Sequence, residues 1–145
     1  MKHEIEEEIS NTPFRILYPV VTTLNVRNGA YNRFIFSPGK GRPWTELAKT
    51  WQAYKDKDEM LKLTGFMPGS KAKCVIIPVK RMPLETPTVD PVRLAAKLAA
   101  YGKKEGWGEV AMAKSHWINM RFSIEQYQQL VDGLEKEGLT VHEYE

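Results

Sequence analysis

Residues Phe14–Phe36 read FRILYPVVTTLNVRNGAYNRFIF, and the predicted architecture depends on them. The first half is rich in β-branched and aromatic residues, which are typical of a β-strand, and Pro19 favours an edge or a bulge. Asn28-Gly29 is a strong hairpin signal, because a type I′ turn needs positive φ at both central residues. Tyr31–Phe36 then predicts the return strand. We therefore expect a sheet that starts with a β-hairpin.

Helices and strands are predicted to alternate downstream of the hairpin. Pro43 suits the first position of a helix, and apolar residues recur at helical spacing from Trp44 to Tyr54. A second short helix is expected to end at Gly65, where the chain turns. The remaining predicted elements are a strand at 71–82, a helix at 92–104, a strand at 109–122 with an interruption near Lys114-Ser115, a helix at 123–138 and a strand at 139–144.

This order of elements predicts the α+β class. We expect a single domain over residues 1–145, with a mixed or mainly antiparallel sheet and three or four helices packed mainly on one face. The acidic segment 1–10 belongs to this domain. The proline-rich connector 83–91 is not treated as a boundary, because the parts on either side of it are small.

Composition limits the class of protein. The chain has 145 residues, 42% of them hydrophobic and 27% charged, which is typical of a globular protein. No apolar run approaches the roughly 20 residues of a membrane span, and the acidic start does not resemble a signal peptide. The single cysteine, Cys74, cannot form an internal disulfide. We expect a cytoplasmic protein with no membrane association, and the oligomeric state stays open.

The net charge of +3 conceals two acidic blocks at the ends of the chain and one basic block between them. Residues 1–10 carry one Lys and four Glu, net −3, and residues 122–145 carry one Lys and six acids, net −5. Residues 11–121 carry 19 Lys or Arg and 8 Asp or Glu, net +11. Such a basic body favours a phosphate-bearing ligand or an acidic partner. The alternative is that the acidic ends neutralise the body or that the charges are simply solvated.

Basic and aromatic residues alternate around the predicted hairpin and the loop Ser37–Pro43. Glycines flank a lysine in this loop, and backbone amides at the start of a helix favour an anion. Arginine beside exposed rings is a common way to hold single-stranded nucleic acid, although rings on strands are also typical of a core. The candidate ligand-binding residues are Arg15, Arg27, Tyr31, Arg33, Lys40, Arg42 and Trp44.

Ser115 and His116 are the candidate catalytic residues. His116 has the chemistry of a general acid or base, and Ser115 that of a nucleophile. No carboxylate lies nearby in sequence to orient the ring, so a strand histidine bonded to backbone or solvent is the favoured interpretation. Cys74 lies in an apolar strand and is expected to be a core thiol. No metal-ligand spacing and no nucleotide-cofactor motif is present, so we expect neither a metal nor a cofactor.

These observations favour a small non-enzymatic binding protein that engages nucleic acid or another phosphate-bearing ligand through its basic hairpin and loop. One alternative is a protein-interaction module, such as an inhibitor, an adaptor or a phage-type accessory factor. A second alternative is an enzyme that acts on a phosphate ester or nucleotide and uses His116 as acid or base.

Overall fold

Five strands form one sheet in the computed structural model, which describes residues 1–21, 64–66, 73–80, 86–87 and 89–145. The strands are β1 (Arg15–Val21), β2 (Thr64–Phe66), β3 (Lys73–Lys80), β4 (Glu109–Ala113) and β5 (Thr140–Tyr144). The helices of the described part are α1 (Pro91–Glu105), α2 (Lys114–Asn119) and α3 (Ile124–Lys136), and a 3-10 turn covers Ile9–Asn11.

The sheet is mainly parallel. Its order is β2-β3-β1-β4-β5, and β1 pairs in parallel with both β3 and β4, while β4 pairs in parallel with β5. Among the five described strands, only the short strand β2 is antiparallel to its neighbour, β3. The predicted α+β class, with a mixed or mainly antiparallel sheet that starts with a hairpin, is therefore wrong. The fold is α/β, and the return strand predicted at 31–36 lies outside the described residues.

Parallel strands are joined by long crossovers, so their pairing is set by contacts distant in sequence and not by a local turn. In this chain α1 connects β3 to β4, and α2 and α3 connect β4 to β5. The strand β2 occupies a position where the sequence predicted the end of a helix. The strand predicted at 109–122 is interrupted where the sequence indicated, because β4 ends at Ala113 and α2 begins at Lys114, but residues 114–119 form a helix and not a continuation of the strand.

Both faces of the sheet are buried. Leu17, Val75 and Val110 belong to the hydrophobic core that α1 and α3 share with the strands. Ile16 and Ala111, which are register partners of adjacent strands, are also fully buried although their side chains point the other way. This is the burial expected of a parallel sheet, and it differs from the predicted one-sided arrangement.

The two long helices begin and end at residues that the sequence marks. Asp90 caps α1 by accepting a hydrogen bond from the amide of Val92 at 3.1 Å, and Gly106 ends it with φ of 78°. Ser123 and Gln126 form a reciprocal capping box at the start of α3. The predicted helices at 92–104 and 123–138 are confirmed.

The acidic start of the chain lies along the edge strand β5. The amide of His3 donates to the carbonyl of Glu143 at 2.9 Å, and the amide of Glu143 donates to the carbonyl of Met1 at 2.8 Å. Lys2 forms a parallel bridge with Glu143. The chain then turns through the 3-10 turn into β1, so segment 1–11 lies beside β5 and approaches the carboxyl ends of the strands.

Candidate ligand-binding site at the carboxyl edge of the sheet

The order of the parallel strands defines a switch point beside β1. The chain passes from β1 to β3 on one side, then returns to β4 on the other side and continues outward to β5. In open α/β sheets, ligands bind at the carboxyl ends of the strands where the order reverses in this way. The position to search is therefore the carboxyl end of β1 and β4.

We use the term crevice for the region beyond Ile16 and Ala111, where β1 and β4 continue without pairing to each other. The recorded pairing of β1 with β4 is limited to Arg15 with Val110 and Ile16 with Ala111, near the amino ends of both strands. Beyond these residues β1 continues to Val21 and β4 to Ala113 without further pairing between them. The helix α2 begins directly after β4 and carries His116, whose ring contacts Tyr18 of β1.

His116 occupies the crevice. Its ring lies 4.8 Å from the ring of Tyr18 on β1, at an angle of 50°. Burial lowers the pKa of His116 to about 4, so the ring is neutral at physiological pH and offers one donor and one acceptor nitrogen. Its Nδ1 atom is buried and has no hydrogen-bond partner in the described part of the chain. A buried ring nitrogen of this kind is suited to bond a ligand atom.

A groove of about 430 Å³ extends from His116 along the acidic segment. Residues 5 and 7–10 form one wall, and Ala113, Ser115 and His116 form the other, with residues 144 and 145 completing the lining. Carboxylates of Glu7, Glu8 and Glu145 make the far side of the groove negative at neutral pH. A phosphate is repelled from that side, so the groove suits an uncharged or cationic portion of a ligand.

The structure brings together two of the residues that the sequence nominated, Ser115 and His116, but on a helix and not on a strand. Arg15 lies at the opposite, amino end of β1, and its guanidinium is 5.8 Å from the centre of the Trp107 ring. Arg27, Tyr31, Arg33, Lys40, Arg42 and Trp44 lie outside the described residues. Their role in binding stays a prediction.

Tyr18 and Tyr144 were missed by the sequence analysis. Tyr18 lies in the middle of β1 and Tyr144 at the carboxyl end of β5, and only the strand order brings them near His116 and its groove. Their sequence signal was weak, because each reads as an ordinary aromatic residue of a strand. Cys74 is fully buried, as expected of a core thiol.

Comparison with solved structures finds the same α/β architecture in macrodomains. One is the macrodomain of Thermus aquaticus DarG, with a TM-score of 0.62 and 14% identity over 100% of this chain and 98% of that one. The macrodomain of Mycobacterium tuberculosis DarG also has a TM-score of 0.62, with 10% identity over 99% of this chain and 97% of that one. At these identities the similarity establishes the fold alone.

No family model matches the sequence. No curated protein matches it either. Within the described ranges, no helix has the length and apolar character needed to cross a membrane.

Proposed function

We propose that this chain is a macrodomain-like module that binds a phosphate-bearing nucleotide ligand at the carboxyl edge of its sheet. The macrodomain fold makes ADP-ribose the first ligand to test. The single observation that carries the proposal is the neutral, half-buried ring of His116 beside Tyr18 at the switch point, whose buried Nδ1 has no hydrogen-bond partner among the described residues. This is the place where an α/β fold presents its ligand site.

The charge layout supports an orientation for the ligand. The negative wall made by Glu7 and Glu8 disfavours a phosphate on that side of the groove. We propose that the sugar or base lies in the groove and that the phosphates face the β1 side. Lys114, the first residue of α2, is a cation at this edge and a candidate phosphate contact. Lys40 and Arg42 remain further candidates from the sequence.

The chemistry of His116 favours binding over proton transfer. A general acid or base works best when its pKa lies near the operating pH, and burial holds that of His116 near 4. The ring is therefore better suited to a fixed hydrogen bond than to proton shuttling. The enzymatic alternative is tested by incubating an ADP-ribosylated substrate with the protein and following release of ADP-ribose.

Calorimetric titration with ADP-ribose, AMP and ribose 5-phosphate tests the proposal. We expect ADP-ribose to bind more tightly than either fragment, and His116→Phe to weaken binding about tenfold because one hydrogen bond is lost. His116→Gln, which keeps a donor and an acceptor, should retain part of the affinity. Absence of heat and of thermal stabilisation with all three ligands overturns the proposal.

A gel-shift series over salt concentration tests nucleic acid as the phosphate-bearing ligand. If phosphate contacts dominate, affinity falls linearly in the logarithm of salt, and replacing Lys40 and Arg42 by Ala reduces the slope. An unchanged slope removes these two residues from the site. Competition by ADP-ribose then shows whether nucleic acid and nucleotide occupy one surface.

A further inference from the structure

Four side chains form a continuous hydrogen-bonded chain between the N-terminal segment and the edge of the sheet. His3 Nδ1 bonds Glu7 Oε2 at 2.6 Å, and His3 Nε2 bonds His142 Nδ1 at 2.9 Å. His142 Nε2 then bonds Glu109 Oε1 at 3.0 Å. All four imidazole nitrogens are therefore engaged, and the chain crosses segment 1–11, β5 and β4.

Aromatic neighbours hold both imidazole rings in place. The ring of Tyr144 stacks on His3 with centroids 4.1 Å apart and an angle of 14°. The ring of Phe14 stacks on His142 with centroids 3.9 Å apart and an angle of 11°. His142 is 3% exposed. Each imidazole is covered on one face by a stacked aromatic ring, which restricts its rotation toward a different hydrogen-bond partner.

Counting protons shows that only one protonation state of the two rings allows all three hydrogen bonds of this series to form. Each carboxylate is an acceptor and needs an N–H from the ring that faces it, while the bond between the rings needs one N–H and one bare nitrogen. The complete chain thus holds three protons on two rings, one imidazolium and one neutral imidazole. With two protons one of the three hydrogen bonds is lost, and with four the two rings present opposed N–H groups.

We propose that Glu7, His3, His142 and Glu109 form a proton-dependent clasp that holds segment 1–11 against β5 and so sets the width of the groove beside His116. The clasp closes when the two histidines share one extra proton, and it loosens on gaining or losing one. The part of the proposal that concerns ligand access rests on the proposed function. The clasp itself does not.

The ionisable groups that face the pair in the described part of the chain are few. Glu7 comes from the segment itself, Glu109 from β4 and Tyr144 from β5. The bond to His3 holds the pKa of Glu7 below its usual range, so this carboxylate stays charged over the range in which histidine titrates. The amino group of Met1 bonds the carbonyl of Val141 and lies 3.9 Å from Glu135.

The clasp is tested on the free protein by NMR over about pH 4 to about pH 9, the range that brackets histidine titration. Ring nitrogen shifts report the protons on His3 and His142, and amide exchange of His3 and Glu143 reports whether segment 1–11 is attached. We expect a plateau with three ring protons, greatest protection on that plateau, and a loss of about tenfold or more on either side.

Glu7→Gln removes one charged acceptor from a half-exposed position, and we expect it to narrow the plateau without unfolding the protein. His3→Gln removes one of the two rings that share the extra proton and should reduce the pH dependence of protection, while the bond between His142 and Glu109 remains. Glu8→Gln is the matched control, since Glu8 belongs to the same segment but bonds Ser10, at 3.3 Å. Protection that stays flat over the whole range, or the same response from Glu7→Gln and Glu8→Gln, overturns the clasp.

A second arm measures ADP-ribose affinity over the same range in the unmodified protein and in His3→Gln. If the clasp sets the width of the groove, the affinity for ADP-ribose should change with pH in the unmodified protein. It should change much less in His3→Gln, which lacks the clasp. If the NMR plateau is present and ADP-ribose does not bind, the proposed function fails while the clasp stands. If affinity is present but the same in both proteins at every pH, the clasp does not regulate the site.

Discussion

The ring of Tyr18 contacts the ring of His116 across the crevice between β1 and β4, with centroids 4.8 Å apart. Tyr18 belongs to the central strand, and His116 belongs to the short helix that starts directly after the neighbouring strand. The contact therefore joins two strands beyond the point where their backbone pairing ends. The contact also covers the imidazole, so the protonation of His116 affects both the candidate site and the stability of the fold.

Burial of His116 predicts a loss of stability in acid. The unfolded chain takes up this proton near pH 6.5 and the folded protein only near about 4, so between these values the unfolded state binds more protons. The stabilisation that the neutral ring provides is intact above pH 6.5 and decreases as the pH falls. The total loss of stability is about 3 kcal/mol once the pH is below the folded pKa. Denaturant unfolding at a series of pH values measures it.

The variant His116→Phe isolates this contribution, because phenylalanine fills similar space and does not titrate. Between pH 6.5 and about 4, the free energy of unfolding of this variant should fall by about 3 kcal/mol less than that of the unmodified protein. His3 and His142 are present in both proteins, so their contributions to the pH dependence cancel when the two unfolding free energies are subtracted. Parallel curves for the two proteins would show that the pKa of His116 is the same in the folded and unfolded states.

Gly133 permits the close approach of α3 to α1. A Cβ atom added there would lie 2.6 Å from the Cβ of Ala95, which is too close for either helix to stay in position. We expect Gly133→Ala to destabilise the protein by about 1–3 kcal/mol, despite the higher helix propensity of alanine. Chemical unfolding of this variant gives the value.

Gly108→Ala is the control for Gly133→Ala, since an added Cβ at Gly108 meets nothing within 4 Å. It should change stability by less than about 0.5 kcal/mol. Adding Ala95→Gly to Gly133→Ala should restore part of the loss. If the pair of changes is simply additive, the two helices do not meet at these residues.

Arg15 gives a test that separates the sequence prediction from the proposed site. Its guanidinium lies over Trp107 at the amino end of the sheet, whereas the crevice is at the carboxyl end. We expect Arg15→Gln to leave ADP-ribose affinity within about twofold and to cost about 0.5–1 kcal/mol of stability from the lost cation–π contact. A tenfold loss of affinity would instead return Arg15 to the ligand-binding residues.

The capping box of α3 predicts a local effect on stability. Ser123 accepts a hydrogen bond from the amide of Gln126 at 3.1 Å, and Ser123→Ala should cost about 1 kcal/mol. Ser115→Ala provides the comparison, because Ser115 lies within α2 and caps no helix. Thermal unfolding of both variants checks the difference, and equal midpoints would rule out a contribution from the cap.

Local signals in the sequence predicted the helices α1 and α3, because Asp90, Pro91 and Ser123 mark their starts and glycines mark their ends. The arrangement of the strands was not predicted, since parallel pairing depends on contacts far apart in sequence. The uninterrupted apolar run Cys74–Val79 was the available clue, because a strand buried on both faces lacks alternation. The Asn28-Gly29 signal was given more weight and led to the wrong class.

The candidate site was predictable only in part for the same reason. Ser115 and His116 stand out by residue type, so the sequence nominated them. The partners of His116 come from distant positions: Tyr18 from the first strand and the groove wall from residues 5–10. The basic residues that dominated the sequence analysis were chosen for charge and spacing, which do not report on strand order.

The bonds between residues 1–3 and β5 also concern how separate molecules meet. An edge strand with free backbone amides and carbonyls invites pairing with another chain, and it is a common starting point for aggregation. Here the carbonyl and amide of Glu143 are already bonded to His3 and Met1. A second molecule can bond the backbone of Glu143 only by displacing residues 1–3, so we expect this acidic segment to disfavour strand addition at this position of the edge.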